Sequence, residues 1–598
     1  MDLRYCLFLA IFISHWSMGQ NDLSDQETWD TSNSTDQIQF DQEQWMLWKN
    51  EPLQLNKASM DDLVLLPGVS SIMAHQVIEY RARVEEIKSP FELLELPAWT
   101  ISHVRRITPL VDFKASNFQN DQTRRYWKHE IMLRTKFGTD QIFFRNLGHH
   151  EGDLGYGYLL YRGQLGELFQ WGLSSEKDPG EGLSKGLESP IHRSGFIQWN
   201  PNFRLKKFVL ERIWIGSFRL SWGRGLVNGE GFRGSLGPQI RSSGTILVRG
   251  HASSAETGYQ NGILTQGRFG FVDWGVWKSR TPRHIKLDTL QNQFNTAYTD
   301  GLFASSDKSR WWNSSHEKRT GVYLLGSSRQ WSIGGLIEKR NWESRILPQS
   351  IMQQQIRKSI QFTRRWSRLT GFFEWGRIGD REKLEFQTLW VPDDQWKLRL
   401  TFHRTPYREM LSDPRFMFDI GPQGQEFVRI EQWWNPVPRL RFYWTAYREW
   451  ENSFWASRIE YGLSEQLTSQ IDFRVRKERV DGRLQFRKSW PKVQVTVRNQ
   501  WNQSKGGQGV LTYLDIQWKR SSHSRIYLRW TSYSSSDFEH RLYVYENDLL
   551  YTFSVPAFHG KGQRMYLMWV GLFDRHQLWV KTILDEGWEV RLQYRLKW

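Results

Sequence analysis

Two periodicities divide the chain. Between residues 53 and 113, "LNKASMDDLVLLPGVSSIMAHQVIEYRARV" places Leu63, Leu66, Ile72, Val77 and Ile78 at near-helical spacing. Ser59 with Asp62 three residues on approaches a capping box, so the first helix starts there. Pro67-Gly68 breaks it, and Ser70 or Ser71 can cap a second helix running to about Arg83. After Lys88-Ser89-Pro90, "FELLELPAWTISHVRRITPLV" repeats the design around a Leu96-Pro97 break. The pattern predicts a small all-α unit of two tandem helical hairpins.

From about residue 120 the period becomes two. Trp588, Val590, Leu592, Tyr594, Leu596 and Trp598 alternate with Glu589, Arg591, Gln593, Arg595 and Lys597. The same alternation runs through Leu398–Phe402, Arg439–Trp444, Ile471–Arg476 and Val493–Arg498, with turn-forming clusters such as Asp585-Glu586-Gly587 between strands. It recurs over nearly five hundred residues with no helical domain between, whereas a soluble chain of that length splits into domains. Only a closed barrel satisfies every strand in lipid. At about ten residues per strand plus connections, roughly 24–26 strands are expected. The final strand ends on an aromatic residue, as such a barrel would.

Composition sharpens this. The chain has 598 residues and 33 tryptophans, with aromatics at 15%. Mean hydropathy is nevertheless only −0.63. Rings that prefer the membrane–water boundary account for the tryptophans, and lipid becomes the expected surroundings. Arg4, the apolar run Tyr5–Ile13 and the small residues Ser17 and Gly19 read as an export signal over 1–19. The one cysteine, Cys6, lies inside it, which leaves the exported chain no disulfide, zinc–thiolate or thiol chemistry. Residues 20–52 read as an acidic linker, with seven acids and no Lys or Arg between 20 and 48. The expected division is therefore 1–19, 20–52, a hairpin domain over 53–115, and a barrel over 116–598, placed in the outer membrane of a Gram-negative cell with the small domain in the periplasm. Insertion would require barrel-assembly machinery as a partner.

The formal charge is +17. Residues 53–115 carry seven basic against eight acidic side chains, or −1, while 116–598 carry 72 against 47, or +25. By strand parity, Arg399, Arg439, Arg441, Arg474, Arg476, Arg498, Arg591 and Arg595 face away from the apolar side and into the lumen. A cationic lumen favours an anionic passenger. In the alternative these arginines pair with carboxylates such as Asp472 and Glu589 and fill the barrel.

"LNKASMDDLVLLPGVSSIMAHQVIEYR" resembles the helix-hairpin-helix family, in particular the tandem domain of ComEA-type competence proteins. A tight turn leading into a helix N-terminus forms an anion nest. The resemblance implies non-specific binding of double-stranded DNA through Pro67, Gly68, Val69, Ser70 and Ser71, with the amides of the last three as phosphate donors. Ser70 stands where the family has its second glycine, and Met73 where it has lysine. The second hairpin has Leu96-Pro97-Ala98-Trp99-Thr100 and no glycine. "SWGRGLVNGEGFRGSLG" (221–237) and "LYVYENDLLYTFSVPAFHGKGQRMYLMW" (542–569) resemble segments of a family of Gram-negative outer-membrane proteins with such an N-terminal domain.

Enzyme signals are weak. His149-His150 with Glu151 and Asp153 sits in a loop-like stretch, and there is no Gly-Lys-Ser/Thr phosphate loop. Gly182-Leu183-Ser184-Lys185-Gly186 lacks the apolar strand that a nucleophile elbow needs. No cofactor or metal is expected, and no enzymatic activity. The expected function is DNA binding coupled to uptake across the outer membrane. The alternative is a transport or envelope-assembly barrel whose hairpins act as a plug or dock a periplasmic protein.

Overall fold

The computed structural model describes residues 52–113 in part and most of 127–598; 1–51, 114–126, 140–154, 182–190, 229–245, 289–292, 298–310, 345–353, 406–425, 450–452 and other scattered positions lie outside the described residues. The expected export signal, the linker, the 149–153 cluster and the 182–186 stretch therefore fall outside them, as do Ser59 and Asp62.

The N-terminal unit has its own apolar core, in which Leu55, Leu63, Leu66, Val69, Ala74, Val77, Leu93, Leu96, Trp99 and Val104 are buried. One α-helix, α1 (Ser71–Val84), follows the first break. The two halves repeat at an interval of thirty residues. The Leu66 amide donates to the Leu63 carbonyl (3.2 Å) and the Val69 amide to that of Leu66 (3.0 Å). Leu96 donates to Leu93 (3.2 Å) and Trp99 to Leu96 (2.9 Å) in the same way. Where the second hairpin was expected to begin on a full helix, the chain forms a six-residue 3-10 helix, Pro90–Glu95. Pro90 starts it, Ser89 and Glu92 cap it reciprocally, and Pro97 lies just beyond its end. The unit is also not purely helical, because β1 (Leu53–Gln54) pairs in parallel with β2 (Val111–Asp112).

Apart from two small hairpins, Ile285–Asp288 with Gln293–Ala297 and Leu542–Tyr543 with Ala557–Phe558, the rest is one antiparallel sheet closed on itself. It begins with β3 (Trp127–Gly138), β4 (Tyr156–Leu165), β5 (Phe169–Lys177) and β6 (His192–Trp199). Next come the short β7 (Phe203–Leu205), then β8 (Phe208–Trp222), the short β9 (Ile246–Gly250) and β10 (Gln260–Phe269). From Val272 onward each wall strand pairs with the next wall strand, and the strand Trp588–Lys597 returns to β3, with Glu130 opposite Lys597 and Gly138 opposite Glu589. The sheet has 26 strands. Because β7 and β9 only extend one edge of β8, the closed wall has 24.

Alternation builds the wall. Along Gln355–Arg365, Ile356, Ile360 and Phe362 are exposed, while Gln355, Arg357, Ser359, Gln361 and Thr363 are buried. The exposed apolar row continues in Leu133, Leu159, Leu173, Ile197, Ile215, Ile263 and Val276. An apolar outside on a sheet with no free edge is what lipid requires, so the barrel spans a membrane. The turns at one end are short, as at Gly270 and Gly166, and exposed tryptophans 127, 199, 366, 390, 490, 518 and 598 cluster there. The long connections all leave from the other end. At the short-turn end the Trp598 amide donates to the His129 carbonyl (3.1 Å), the His129 amide to that of Trp598 (2.9 Å), and the two rings stack at 5.1 Å.

Candidate functional site: a lumen filled by two inward segments

A water-filled channel would leave inward polar side chains wet. Here Arg357 is 1% exposed and Gln361 0%, and Glu317, Glu374 and His403 are equally buried. Among the described residues, two stretches of the chain occupy the lumen, and both enter from the end with the long connections.

The first comprises the described residues 217–228 and 246–259. β8 follows the wall as far as Gly216, where φ is +100° and a Cβ would stand 2.3 Å from the Gly195 carbonyl oxygen. Only glycine permits that bend. Its last six residues, Ser217–Trp222, are then buried on both faces, and β9 pairs with Phe218–Trp222 to form a hairpin turned inward. Phe218, Leu220, Trp222, Leu226, Val227 and Val248 pack against the wall residues Leu264, Trp277, Tyr323, Leu336 and Ile378. Towards the hairpin's tip, Trp222 Nε1 donates to Ser359 Oγ (3.1 Å) and Arg224 Nε to Glu385 (2.8 Å). The Asn228 amide group donates to Glu338 (3.1 Å), and Arg357 donates to the Val227 carbonyl (3.0 Å). On the return, the Ser253 carbonyl accepts from Ser174 (3.2 Å) and Ser194 (3.3 Å). Burial, and then the Arg219 guanidinium beside it, hold the His251 imidazole well below its usual range. It is neutral, taking the Arg219 Nε–H at Nδ1 (3.1 Å) and donating from Nε2 to Ala255 (2.9 Å).

The second is 536–560, joining the strands Ser524–Ser535 and Lys561–Phe573. Its base is a 3-10 turn, Phe538–His540, capped by Asp537. Its tip carries Glu546 and Asp548, whose carboxylates are 1% exposed. Arg564 grips Glu546 with two bonds (2.9 and 3.2 Å). Lys581 lies 3.5 Å from Glu546 and 3.6 Å from Asp548, and Arg591 binds Asp548 as well. Arg134 donates to the Leu550 carbonyl (2.8 Å). Leu549, Leu550 and Tyr551 join a buried cluster with Met132, Leu160, Tyr566 and Met568. Arg162 links the two segments, reaching Tyr551 Oη at 3.2 Å and the Ala252 carbonyl at 3.4 Å.

The expected lumenal arginines meet acceptors rather than open water. Arg399 forms a two-bond pair with Glu431 (both 2.6 Å), and Arg441 meets Glu460 (3.4 Å). Arg476 meets Asp481 (3.2 Å), and Arg498 donates to Gln485 (2.8 Å). Arg595 meets Glu130 (2.9 Å), and Arg591 binds Glu589 (2.8 Å) as well as Asp548. Arg474 is buried on the same inward row. Asp472 is held by Arg458 and Arg483. Arg439 is placed differently: it is exposed in the turn before the strand Leu440–Glu449, at the short-turn rim.

Of the expected DNA-contact residues, Pro67, Gly68 and Ser70 lie outside the described residues, and Ser71 opens α1. Val69 is buried, and its amide, expected to donate to phosphate, is already bonded to the Leu66 carbonyl. The turn uses that donor internally.

Sequence reasoning identified neither inward segment, although their described residues overlap the stretches quoted at 221–237 and 542–569. Their signal was loss of alternation: Gly223-Arg224-Gly225 in one, and the acidic-apolar run Glu546–Tyr551 in the other.

No known family pattern matches the chain, and no curated protein matches it. Among solved structures it is similar to the ferric enterobactin receptor PfeA of Pseudomonas aeruginosa, with 8% identity over 80% of this chain and 82% of that one and a TM-score of 0.37. The siderophore receptor PirA of Acinetobacter baumannii gives 7% identity over 80% and 81%, with a TM-score of 0.37. The translocation pore of the P pilus usher PapC gives 7% over 79% and 99%, with a TM-score of 0.32. These likenesses concern architecture alone.

Proposed function

We propose that this protein is an outer-membrane transport barrel in its closed state. The observation that carries the reading is the filled lumen: a continuous wall whose inward polar face is covered by two segments of its own chain. A barrel serving only as an anchor has no need of a lumen crossed by polar hydrogen bonds and ion pairs on both sides. Such contacts suit a path that is sometimes wet.

The chain divides, in this reading, into an export signal (1–19), a linker (20–52), a small periplasmic domain (53–115) and the barrel (116–598). Because the barrel's own segments fill the lumen, the small domain is assigned to docking a periplasmic protein rather than to plugging. Uptake of DNA is not carried forward, since the hairpin's local charge is −1 and the Val69 amide is taken.

The test is conductance in planar bilayers. The intact protein is expected to conduct little. A variant with 541–559 replaced by a short Gly-Ser linker is expected to conduct severalfold more while keeping its heat-modifiable migration. A correctly migrating variant that stays as closed as the intact protein would sink the reading.

A further inference from the structure

The two inward segments are held by different balances of apolar and ionic contact. The first buries Phe218, Leu220, Trp222 and Val248 in an apolar cluster with the wall, an arrangement that loses free energy whenever it is wetted. The tip of the second also buries Leu549, Leu550 and Tyr551, but it adds a cluster of charge. The acids at the tip, Glu546 and Asp548, belong to the segment, while Arg564, Lys581 and Arg591 belong to three successive wall strands; Arg564 also meets Asp585 (2.9 Å) and Arg591 also meets Glu589 (2.8 Å). Arg529 and Arg134, also on the wall, bind the segment's carbonyls. Both carboxylates that meet Lys581 among the described residues come from the segment.

A buried ion pair is a weak net stabiliser, because the Coulomb gain is offset by the desolvation of both partners. Withdrawing the tip while admitting water returns that desolvation, whereas withdrawing the first segment wets Phe218, Leu220, Trp222 and Val248. Of the two segments, the second is the one whose place an outside anion can take.

We propose that Arg564, Lys581 and Arg591 form a binding site for a multiply charged anion, and that Glu546 and Asp548 occupy it in the closed barrel as an internal stand-in for that anion. The ligand class is a small polyanion bearing phosphate or carboxylate groups. Arg564 already shows the two-bond grip that such groups receive. Binding there displaces the tip and opens the path. This inference rests on the transport reading and names the class of solute for it.

The test uses the full-length Asn547→Cys protein in detergent, with inorganic tripolyphosphate as the probe and labelling of the unmodified chain subtracted. The maleimide labelling rate at position 547 is expected to rise on the order of tenfold with tripolyphosphate. Sodium chloride of matched ionic strength should leave it unchanged, and Arg564→Gln/Lys581→Gln in the same background should abolish the rise. An equal rise with sodium chloride, or a rise that survives the double substitution, overturns the site. No rise in a protein with normal heat-modifiable migration also overturns it. The conductance of the 541–559 replacement is measured alongside. If that variant conducts and labelling ignores tripolyphosphate, the anion site fails and the transport reading stands. If it does not conduct, the transport reading itself fails.

Discussion

Burial decides what a charged residue contributes here. Glu317 is 0% exposed and faces Arg283 and Arg319, each at 2.7 Å, together with Arg340. Glu426 sits 4.0 Å from Arg404 with side chains 50% and 67% exposed. Removing one partner from a buried pair leaves a stranded charge and costs about 3–5 kcal/mol. Breaking an exposed pair costs less than about 1 kcal/mol. Glu317→Gln is therefore expected to lower the urea midpoint in detergent strongly, and Glu426→Gln to leave it nearly unchanged; equal effects would refute the assignment. His251 adds a dependence on pH. Its folded-state pKa is depressed, so the unfolded chain takes up a proton near its ordinary value of about 6.5 while the folded chain does not. Stability from this group is thus complete above that value and falls as pH drops below it, by up to about 1.4 kcal/mol per pH unit. His251→Gln, which can accept from Arg219 and donate to Ala255, is expected to flatten the fall between pH 7 and 5 in the same titration.

Single elements show what alternation can and cannot convey. The strand Leu467–Arg476 was readable because Ile471 meets lipid while Gln470, Asp472 and Arg474 beside it are buried. β8 was not, because its outer half leaves the wall and is buried on both sides, which erases period two. The pivot is Gly216, where a side chain would face both a disallowed backbone region and the Gly195 carbonyl. Gly216→Val is expected to cost at least about 1–3 kcal/mol and to lower the temperature of heat-modifiable migration. An unchanged transition would mean that the bend lies elsewhere. The 3-10 helix Pro90–Glu95 teaches the same lesson from the other side: helical spacing was correct, but two prolines left no room for further turns.

At the scale of the whole molecule, the β-barrel and its strand number within a pair were legible, since lipid imposes one rule on every strand. The candidate site was not. Parity gave an inward row of arginines, yet it counted Arg439, which lies exposed in a turn, and it gave no sign that Leu264, Trp277 and Leu336 would face an apolar hairpin inside. It could not tell that Glu431, Glu460, Asp481 and Glu130 would meet them from neighbouring strands, because cross-strand register is set by turn lengths rather than by composition. Nor could it show that loops fold back inside, which depends on contacts hundreds of residues apart, such as Arg134 with Leu550.

The joint between β3 and the strand Trp588–Lys597 differs from the others in one respect. Nearly every other neighbouring pair is tethered by the connection between its two strands, which keeps a separated pair at high local concentration. Across this joint Arg134 and Gln593 are 459 residues apart, and no short tether draws the strands back together once they part. Loop-closure entropy weighs on this pairing more than on any hairpin. Kinetically the wall is a chain of quickly resealing hinges and one slow clasp, and Trp598 stacked on His129 lies at that clasp.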